Sequence, residues 1–385
     1  GQPAFLEDAL AAILRRAGLE TAVHGKDFLP PAGEYTGEVV LKGLASFLEA
    51  VAPRGVDLDP VRGAAAALAR AKARAVEMLG APLPARPPGF CIGCPERPVF
   101  AAMKLAAREG GSFHVSGDIG CHTFSTLPPF NIGNTVLGYG LGLASNAAVS
   151  PLFGKRTVTV MGDGGFWHNG LTSGVASAVY NGDDGILVIM KNGYTSATGT
   201  QNIPSSPQQD VRHARGMSIE RAIEAIGVKW MRRVTTYRVG EMAKTLKAAM
   251  NSAHQGLKVI IAEGECQLER QRRIRPIVAS ALAAGSRVVR TRFGVDEDLC
   301  SGDHSCVRLS GCPSLTIKTS SDPLKVDPVA HVDNGCVGCG VCGEVAQAAV
   351  LCPSFYRAEI VQNPNAWDRF LDRLRRAVIG WMQPA

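Results

Sequence analysis

Two segments, TVTVMGDGGFWHNG (157–170) and ILVIMKNGYTSATG (186–199), decide the reading of this chain. Each opens on a continuous apolar run, as a parallel strand covered on both faces requires, and each ends in a polar, glycine-containing turn. Asp163 and Asn192 therefore fall at the carboxyl ends of two successive strands, 29 residues apart. In open α/β sheets ligands bind in the crevice there. Asp163 offers an anionic oxygen and Asn192 a neutral amide oxygen. That donor pair suits Mg²⁺, which takes oxygens in octahedral array, commonly one or two protein groups with phosphate oxygens. Gly162, Gly164 and Gly165 leave room for a diphosphate against the backbone, and a helix from Asn169 presents its positive end. The plain alternative is a tight strand-to-helix turn with no ligand; the second strand, ending in Asn-Gly-Tyr, weighs against it.

Outward from these segments, FHVSGDIG (113–120), GVKWMRRV (227–234) and KVIIAEGEC (258–266) read as further strands. Helical patterns at 98–109, 134–148, 169–180, 218–226 and 239–253 lie between them, which predicts βαβ architecture over 90–276, a parallel sheet with helices on both faces. Residues 1–85 read as amphipathic helices, 4–19 and 58–79, around an extended interruption at 21–38. The Pro-rich APLPARPPG (81–89) reads as a linker, 277–295 as a connector, 296–356 as a small cysteine-rich domain and 357–385 as a terminal helix. A length of 385 residues suits two to three domains, and 46% hydrophobic against 19% charged residues excludes disorder as the main state. The net charge of +7 is spread along the chain, so it favours an acidic protein or an anionic cofactor no more than nucleic acid. The low-charge stretch 135–153 is broken by Gly, Asn and Ser and reads as a packed helix, so no membrane span is expected. The chain opens at Gly1, its first Met is Met78 and no leader pattern precedes either; the expectation is a processed or truncated chain, cytoplasmic by default.

Eleven cysteines, an odd number gathered in CxxC clusters, point to metal ligation in a reducing compartment rather than to disulfides. FCIGCPERP (90–98) supplies Cys91 and Cys94, SGDIGC ends on Cys121, and Cys266 follows the last strand. A redox CxxC, buried thiols and a four-cysteine zinc site are the alternatives for this set. Farther on, CSGDHSCVRLSGCP (300–313) and CVGCGVCGEVAQAAVLCP (336–353) resemble the bacterial two-cluster ferredoxin pattern, in which the last Cys of each motif serves the other cluster. Swapped pairing groups Cys336, Cys339 and Cys342 with Cys312, and Cys300 and Cys306 with Cys352. Asp303 stands where the second Cys of the first motif belongs. The fourth ligand there is Asp303, His304, water or none, so four-iron and three-iron clusters both stay open.

The GDG…Asn pair resembles the thiamine-diphosphate-binding motif. Together with the CIGCP and SGDIGC cysteines and the two tandem C…CP segments, residues 90–356 resemble the indolepyruvate branch of the 2-oxoacid:ferredoxin oxidoreductase family. The resemblance implies thiamine diphosphate, with Mg²⁺ held by Asp163, Asn192 and the Tyr194 carbonyl, and a loop SATGTQ (196–201), including Thr198 and Gly199, closing over the cofactor. It implies a [4Fe–4S] cluster on Cys91, Cys94, Cys121 and Cys266, and two or three clusters in all. The implied reaction is oxidative decarboxylation of a 2-oxoacid, an arylpyruvate such as indolepyruvate, to its acyl-CoA, with electrons passing through the clusters to ferredoxin. Segment 1–85 looks like the tail of a transketolase-C-like domain, and the aminopyrimidine site is expected from an upstream domain or a second subunit. His122, Thr123, Trp167 and His168 flank the cofactor motifs and are candidates to line the substrate cavity, with His122 and His168 as candidate catalytic groups; a structural role serves each equally. The basic run RQRRIR (270–275) reads as a solvated face or as a steering surface for an acidic ferredoxin. Two rival readings remain: a non-oxidative thiamine-diphosphate decarboxylase or synthase, which leaves the cysteines unexplained, and an electron-transfer subunit without catalysis of its own. Neither a nucleic-acid nor a membrane partner is expected.

Overall fold

A computed structural model describes residues 4–33, 35–52, 55–82, 88–207, 216–320 and 322–380. The chain forms two compact units that divide at residues 87/88. The first holds three helices, α1 (Phe5–Arg16), α2 (Gly37–Val51) and α3 (Asp59–Leu79), and no strand among its described residues. The amphipathic spacing anticipates α1 and α3. The second helix starts where the Thr36 hydroxyl accepts from Val39 N, capping an otherwise unpaired donor. Residues 83–87 of the Pro-rich linker lie outside the described residues.

In the second unit, α4 (Arg97–Gly110) precedes β1 (Val115–Gly117), β2 (Thr135–Val136), α5 (Gly142–Phe153) and β3 (Val158–Gly162). A helix then starts as α6 (Asp163–Gly165), runs as a π-helix over Phe166–Ala176 and ends as α7 (Ser177–Asn181). There follow β4 (Ile186–Lys191), the small pair β5 (Tyr194–Thr195) and β6 (Gln201–Asn202), α8 (Ile219–Ile226), β7 (Trp230–Thr235), α9 (Val239–Met250) and β8 (Lys258–Glu263). The main sheet has the order β2-β1-β3-β4-β8-β7 and every pairing in it is parallel. Its central strands are apolar on both faces because both are covered. Val158, Val160, Ile186, Val188 and Ile260 pack with Phe100, Met103, Met242 and Leu246 of α4 and α9; Met161, Leu187, Ile189 and Val259 pack with Phe166, Val175, Ile219 and Ile223. All five expected strands are present. The sixth, β2, lies in the segment whose spacing predicts a helix at 134–148; the helix waits until Gly142 because Gly140 takes a left-handed conformation (φ 82°).

Beyond the sheet, α10 (Gln267–Ala283) leads to β9 (Val288–Val295), α11 (Ser305–Ser310), β10 (Leu315–Lys318), β11 (Val329–Val332), α12 (Val341–Val350), β12 (Phe355–Gln362) and α13 (Ala366–Ile379). β9 pairs antiparallel with β12 along its whole length, and β10 with β11. The stretch 277–295, read as a connector, is therefore the end of α10 and a full strand. The terminal region read as helix begins inside β12, and α13 starts only at Ala366, where Asn365 and Asp368 form a capping box. The basic run 270–275 lies on α10. Among the described residues no helix is long and apolar enough to cross a membrane.

Candidate active site

The carboxyl ends of four neighbouring strands deliver the chemistry-bearing residues: Asp118 follows β1, Asp163 follows β3, Asn192 follows β4 and Cys266 lies just past β8. The turn before α4 adds Cys91, Cys94 and Glu96. A cavity of about 180 Å³ opens there, with Gly162, Asp163, Gly164, Gly165, Asn192, Tyr194 and Thr198 among its lining residues.

Asp163 is wholly buried, with Oδ1 accepting from Gly164 N at 3.0 Å and Oδ2 from Gly193 N at 2.6 Å. Burial pushes its carboxyl up to about 7, against the pull of the Gly193 N–H and with a further push from Glu96. A carboxylate in that setting is stabilised by a cation. Asn192 Oδ1 accepts from Tyr194 N (3.1 Å) and Ser196 Oγ (2.9 Å), while its Nδ2 donates to Glu96 Oε1 (2.9 Å). A Cβ on Gly164 would run into the Tyr139 hydroxyl and Thr195, and one on Gly165 into the Asp118 carboxylate. Close packing of Tyr139, Thr195 and Asp118 around the turn thus requires glycine at both positions, which also line the cavity.

The two candidate histidines part company. His122 lines the cavity and is buried, its Nε2 2.7 Å from Asp118 Oδ1. Burial pulls its pKa down, but Asp118, with Glu96 behind it, more than offsets this and holds the imidazole above its ordinary range. Asp118 Oδ2 in turn accepts from Gly140 N at 2.8 Å. His168 is exposed and stacks on Tyr139, with ring centroids 4.9 Å apart, without lining the cavity. Trp167 donates from Nε1 to Ser205 Oγ (2.9 Å) and Thr123 to Gly120 O (2.6 Å), both structural uses. In the 196–201 loop Thr198 lines the cavity and Gly199 does not; the Gly199 carbonyl accepts from Arg272, and Thr200 donates to Glu269, so α10 holds the loop down.

The first four cysteines come together. Cys91, Cys94, Cys121 and Cys266 all line a second cavity, which shares Glu96, Cys121, Asn192 and Ser196 with the first. Burial raises the thiols of Cys91, Cys94 and Cys121, and mutual repulsion links Cys91 with Cys266, Cys94 with Cys121, and Cys121 with both Cys91 and Cys266. The later cysteines also sort by neighbourhood. Cys342, pushed up to about 12 by burial, feels Cys339, Cys312 and Cys336. Cys306, pushed up to about 11 by burial, feels Cys300, Cys352 and Asp303. These are the groups that swapped pairing names. Gly93, at φ 73° inside the first CxxC, is packed against Val337 of the later segment, so the two regions touch. Among the described residues no three His, Cys, Asp or Glu side chains stand close enough to hold a single metal ion. A four-iron cluster is bulkier than an ion and spaces its thiolates more widely.

Sequence reasoning passed over Glu96, Arg97, Asp118 and Tyr139. Glu96 and Asp118 lie two or three residues from cysteines that were singled out, and each is a charged residue beside an apolar run; that adjacency is the signal available for them. Tyr139, whose hydroxyl meets Thr195 Oγ1 at 2.9 Å, carries no such signal.

Residues 118–262 match the family described as thiamine pyrophosphate enzyme, C-terminal TPP binding domain. The indolepyruvate oxidoreductase subunit IorA of Pyrococcus abyssi is 28% identical over 342 residues, covering 85% of this chain and 48% of its own. The subunit of the same name from Methanothermobacter thermautotrophicus is 28% identical over 358 residues, covering 91% and 50%. The chain therefore spans about half the length of the curated relatives it matches. A solved 2-oxoglutarate:ferredoxin oxidoreductase from Magnetococcus marinus, with 2-oxoglutarate, coenzyme A and succinyl-CoA bound, aligns at 20% identity and TM-score 0.41, over 48% of this chain and 66% of that one. The resemblance read from the motifs is borne out as a similarity: the chain matches a TPP-binding family model over 118–262 and resembles the indolepyruvate oxidoreductase subunits IorA over most of its own length.

Proposed function

We propose that this chain is the thiamine-diphosphate-binding, iron–sulfur-carrying part of a 2-oxoacid:ferredoxin oxidoreductase that acts on arylpyruvates, forms the acyl-CoA and delivers electrons to ferredoxin. One observation carries the reading: the four-cysteine cavity and the Asp163/Asn192 cradle share a wall, so a cofactor in one lies beside a cluster in the other. Thiamine diphosphate, when bound, supplies the carbanion for the decarboxylation.

The residues divide the remaining work. Asp163, Asn192 and the Tyr194 carbonyl would hold Mg²⁺, the buried carboxylate contributing the charge that the cation neutralises. The bare backbone of Gly164 and Gly165 would take the diphosphate, and Thr198, from the loop pinned by Glu269 and Arg272, would cover it. His122, buried at the cavity wall with Nε2 2.7 Å from Asp118 Oδ1, would orient a substrate there, its charged form favoured by that carboxylate against the pull of burial. Cys91, Cys94, Cys121 and Cys266 would hold one cluster, Cys312, Cys336, Cys339 and Cys342 a second, and Cys300, Cys306 and Cys352 with Asp303 a third, in a ferredoxin-like domain over 296–356. Buried thiols with raised pKa values ionise when a metal centre takes them, so each group is poised for ligation rather than for free thiolate chemistry. The aminopyrimidine site is assigned to a partner subunit or an upstream domain.

The test is anaerobic purification followed by iron, sulfide and EPR analysis, then turnover with arylpyruvates against pyruvate in the presence of CoA. About eleven or twelve irons per chain, and EPR signals that appear on adding arylpyruvate and CoA, are expected. Zinc without iron would overturn the reading. Aldehyde formation with no cluster reduction would replace it with the non-oxidative one.

A further inference from the structure

Arg97 opens α4 three residues after Cys94 and is wholly buried. Its Nη1 donates to the Ser310 carbonyl at 2.7 Å, at the end of α11 just before Cys312. Its Nε and Nη2 are buried with no hydrogen-bond partner, and it makes no ion pair among the described residues. The neighbouring carboxylate does not pair with it: Glu96 Oε1 accepts from Asn192 Nδ2, and its Oε2 is buried with no hydrogen-bond partner. A guanidinium cannot shed its proton in a protein, and an unpaired buried ion costs several kcal/mol. A fold that keeps such a cation holds negative charge near it. Arg97 lines neither of the two cavities, so substrate and diphosphate do not provide that charge. It stands between ligand segments from both sides, three residues after Cys94 and bonded to the carbonyl two residues before Cys312, and it favours the ionised forms of Cys91, Cys94, Cys339 and Tyr237.

We propose that Arg97 is the shared counter-ion of two iron–sulfur clusters, one on Cys91, Cys94, Cys121 and Cys266 and the other on Cys312, Cys336, Cys339 and Cys342, and that it raises the reduction potential of both. This rests on the cluster assignment made above. A cluster held by four thiolates is anionic and gains one more negative charge on reduction, so a fixed cation stabilises the reduced state more than the oxidised one. One cation facing both clusters also keeps their potentials from drifting apart, which favours electron passage between them. The two unpartnered nitrogens, Nε and Nη2, carry N–H groups of the kind such clusters accept at sulfur.

Arg97→Met and Arg97→Gln remove the charge; Arg97→Lys keeps it. Each variant is purified anaerobically in its natural assembly and titrated by EPR-monitored potentiometry. In both neutral variants the two clusters should become harder to reduce by at least tenfold in the one-electron equilibrium, about 59 mV. The Cys300/Cys306/Cys352 centre should move less, and the Lys variant should recover most of the shift. After iron is chelated out, the neutral variants should melt above the wild type, because the wild type then buries an uncompensated cation; with clusters in place the order should reverse. Unchanged potentials in the neutral variants, a Lys variant that falls as far as Met, or chelated proteins that melt in the opposite order would each overturn the proposal. Should a neutral variant fail to retain clusters, the chelated comparison decides. An iron-free wild type is a different result and overturns the functional reading itself.

Discussion

Asparagine at position 163 should stabilise the cofactor-free protein while destroying its cation site. Asp163 has no exposure, and burial moves its carboxyl from an ordinary 3.8 to about 7. At about 1.4 kcal/mol per pH unit, keeping this group ionised in the fold costs on the order of 4 kcal/mol. The folded pKa lies above the unfolded one, so the whole penalty is present above about pH 7 and it fades as the pH falls toward 3.8. At pH 5 the folded group holds a proton that the unfolded group largely lacks, and about 2 kcal/mol of the penalty remains. Asn carries no charge to desolvate, but its Nδ2 cannot accept, so one of the two bonds from Gly164 N and Gly193 N is lost, which returns about 1–3 kcal/mol of the gain. Asp163→Asn should therefore be more stable than wild type by about 1–3 kcal/mol at pH 8 and roughly equal to it at pH 5. Calorimetric unfolding of both proteins, free of Mg²⁺ and thiamine diphosphate, measures the difference at each pH. Isothermal titration should at the same time show that the variant no longer binds thiamine diphosphate in a Mg²⁺-dependent way. A variant less stable than wild type at pH 8, or a difference that does not shrink at pH 5, would refute the idea that Asp163 is a carboxylate held for a cation.

Three further outcomes are expected. Gly164→Ala places a methyl against the Tyr139 hydroxyl and within 3.4 Å of Thr195 Cα, an overpacking that costs about 1–3 kcal/mol; equilibrium dialysis should show thiamine diphosphate binding weakened by roughly tenfold or more. Glu96→Gln retains an oxygen for Asn192 Nδ2, whereas Glu96→Asp retains the charge but is one methylene too short to reach it. Mn²⁺ EPR in the presence of thiamine diphosphate should find Gln close to wild type and Asp weaker by about tenfold, the loss usual for a partner behind a metal ligand. Asp303→Cys gives the Cys300/Cys306/Cys352 group a fourth thiol, so iron content should rise by about one per chain and any three-iron EPR signal should disappear.

The parallel sheet was legible in the sequence because a strand buried on both faces must be apolar throughout, and TVTVM, ILVIM and KVIIA each are. The cradle was legible because Gly164 and Gly165 have no tolerable alternative where Tyr139, Thr195 and Asp118 press on them. Cysteine grouping was legible in part, since spacing places Cys91 beside Cys94 while only the chain's path brings Cys121 and Cys266 to the same cavity. What escaped was set by tertiary pairing. The register of β9 with β12 joins residues about 60 apart across a cysteine-rich segment, so 288–295 looks like a connector until its partner strand is known. His168 drew notice by its closeness to the GDG motif, yet the helix that begins at Asp163 turns its side chain outward onto Tyr139.

The buried charges at this site have a common logic. Glu96, Asp118 and Asp163 converge at the ends of strands and turns; Glu96 raises the cost of ionising Asp163 and the thiols of Cys94 and Cys121, and Asp118 that of ionising Glu96. Left alone, such a group would be a pure loss of stability. Three compensations are available: the His122 imidazole against Asp118, a cation at Asp163 and Asn192, and the guanidinium of Arg97 three residues beyond Cys94. The first is internal to the chain. Under the proposed function the second needs a cation and the third anionic clusters, so both would be complete only in the loaded protein. An interior that is electrostatically finished by its cofactors should gain stability as they bind, and should gain most where the cation site and the clusters are filled together.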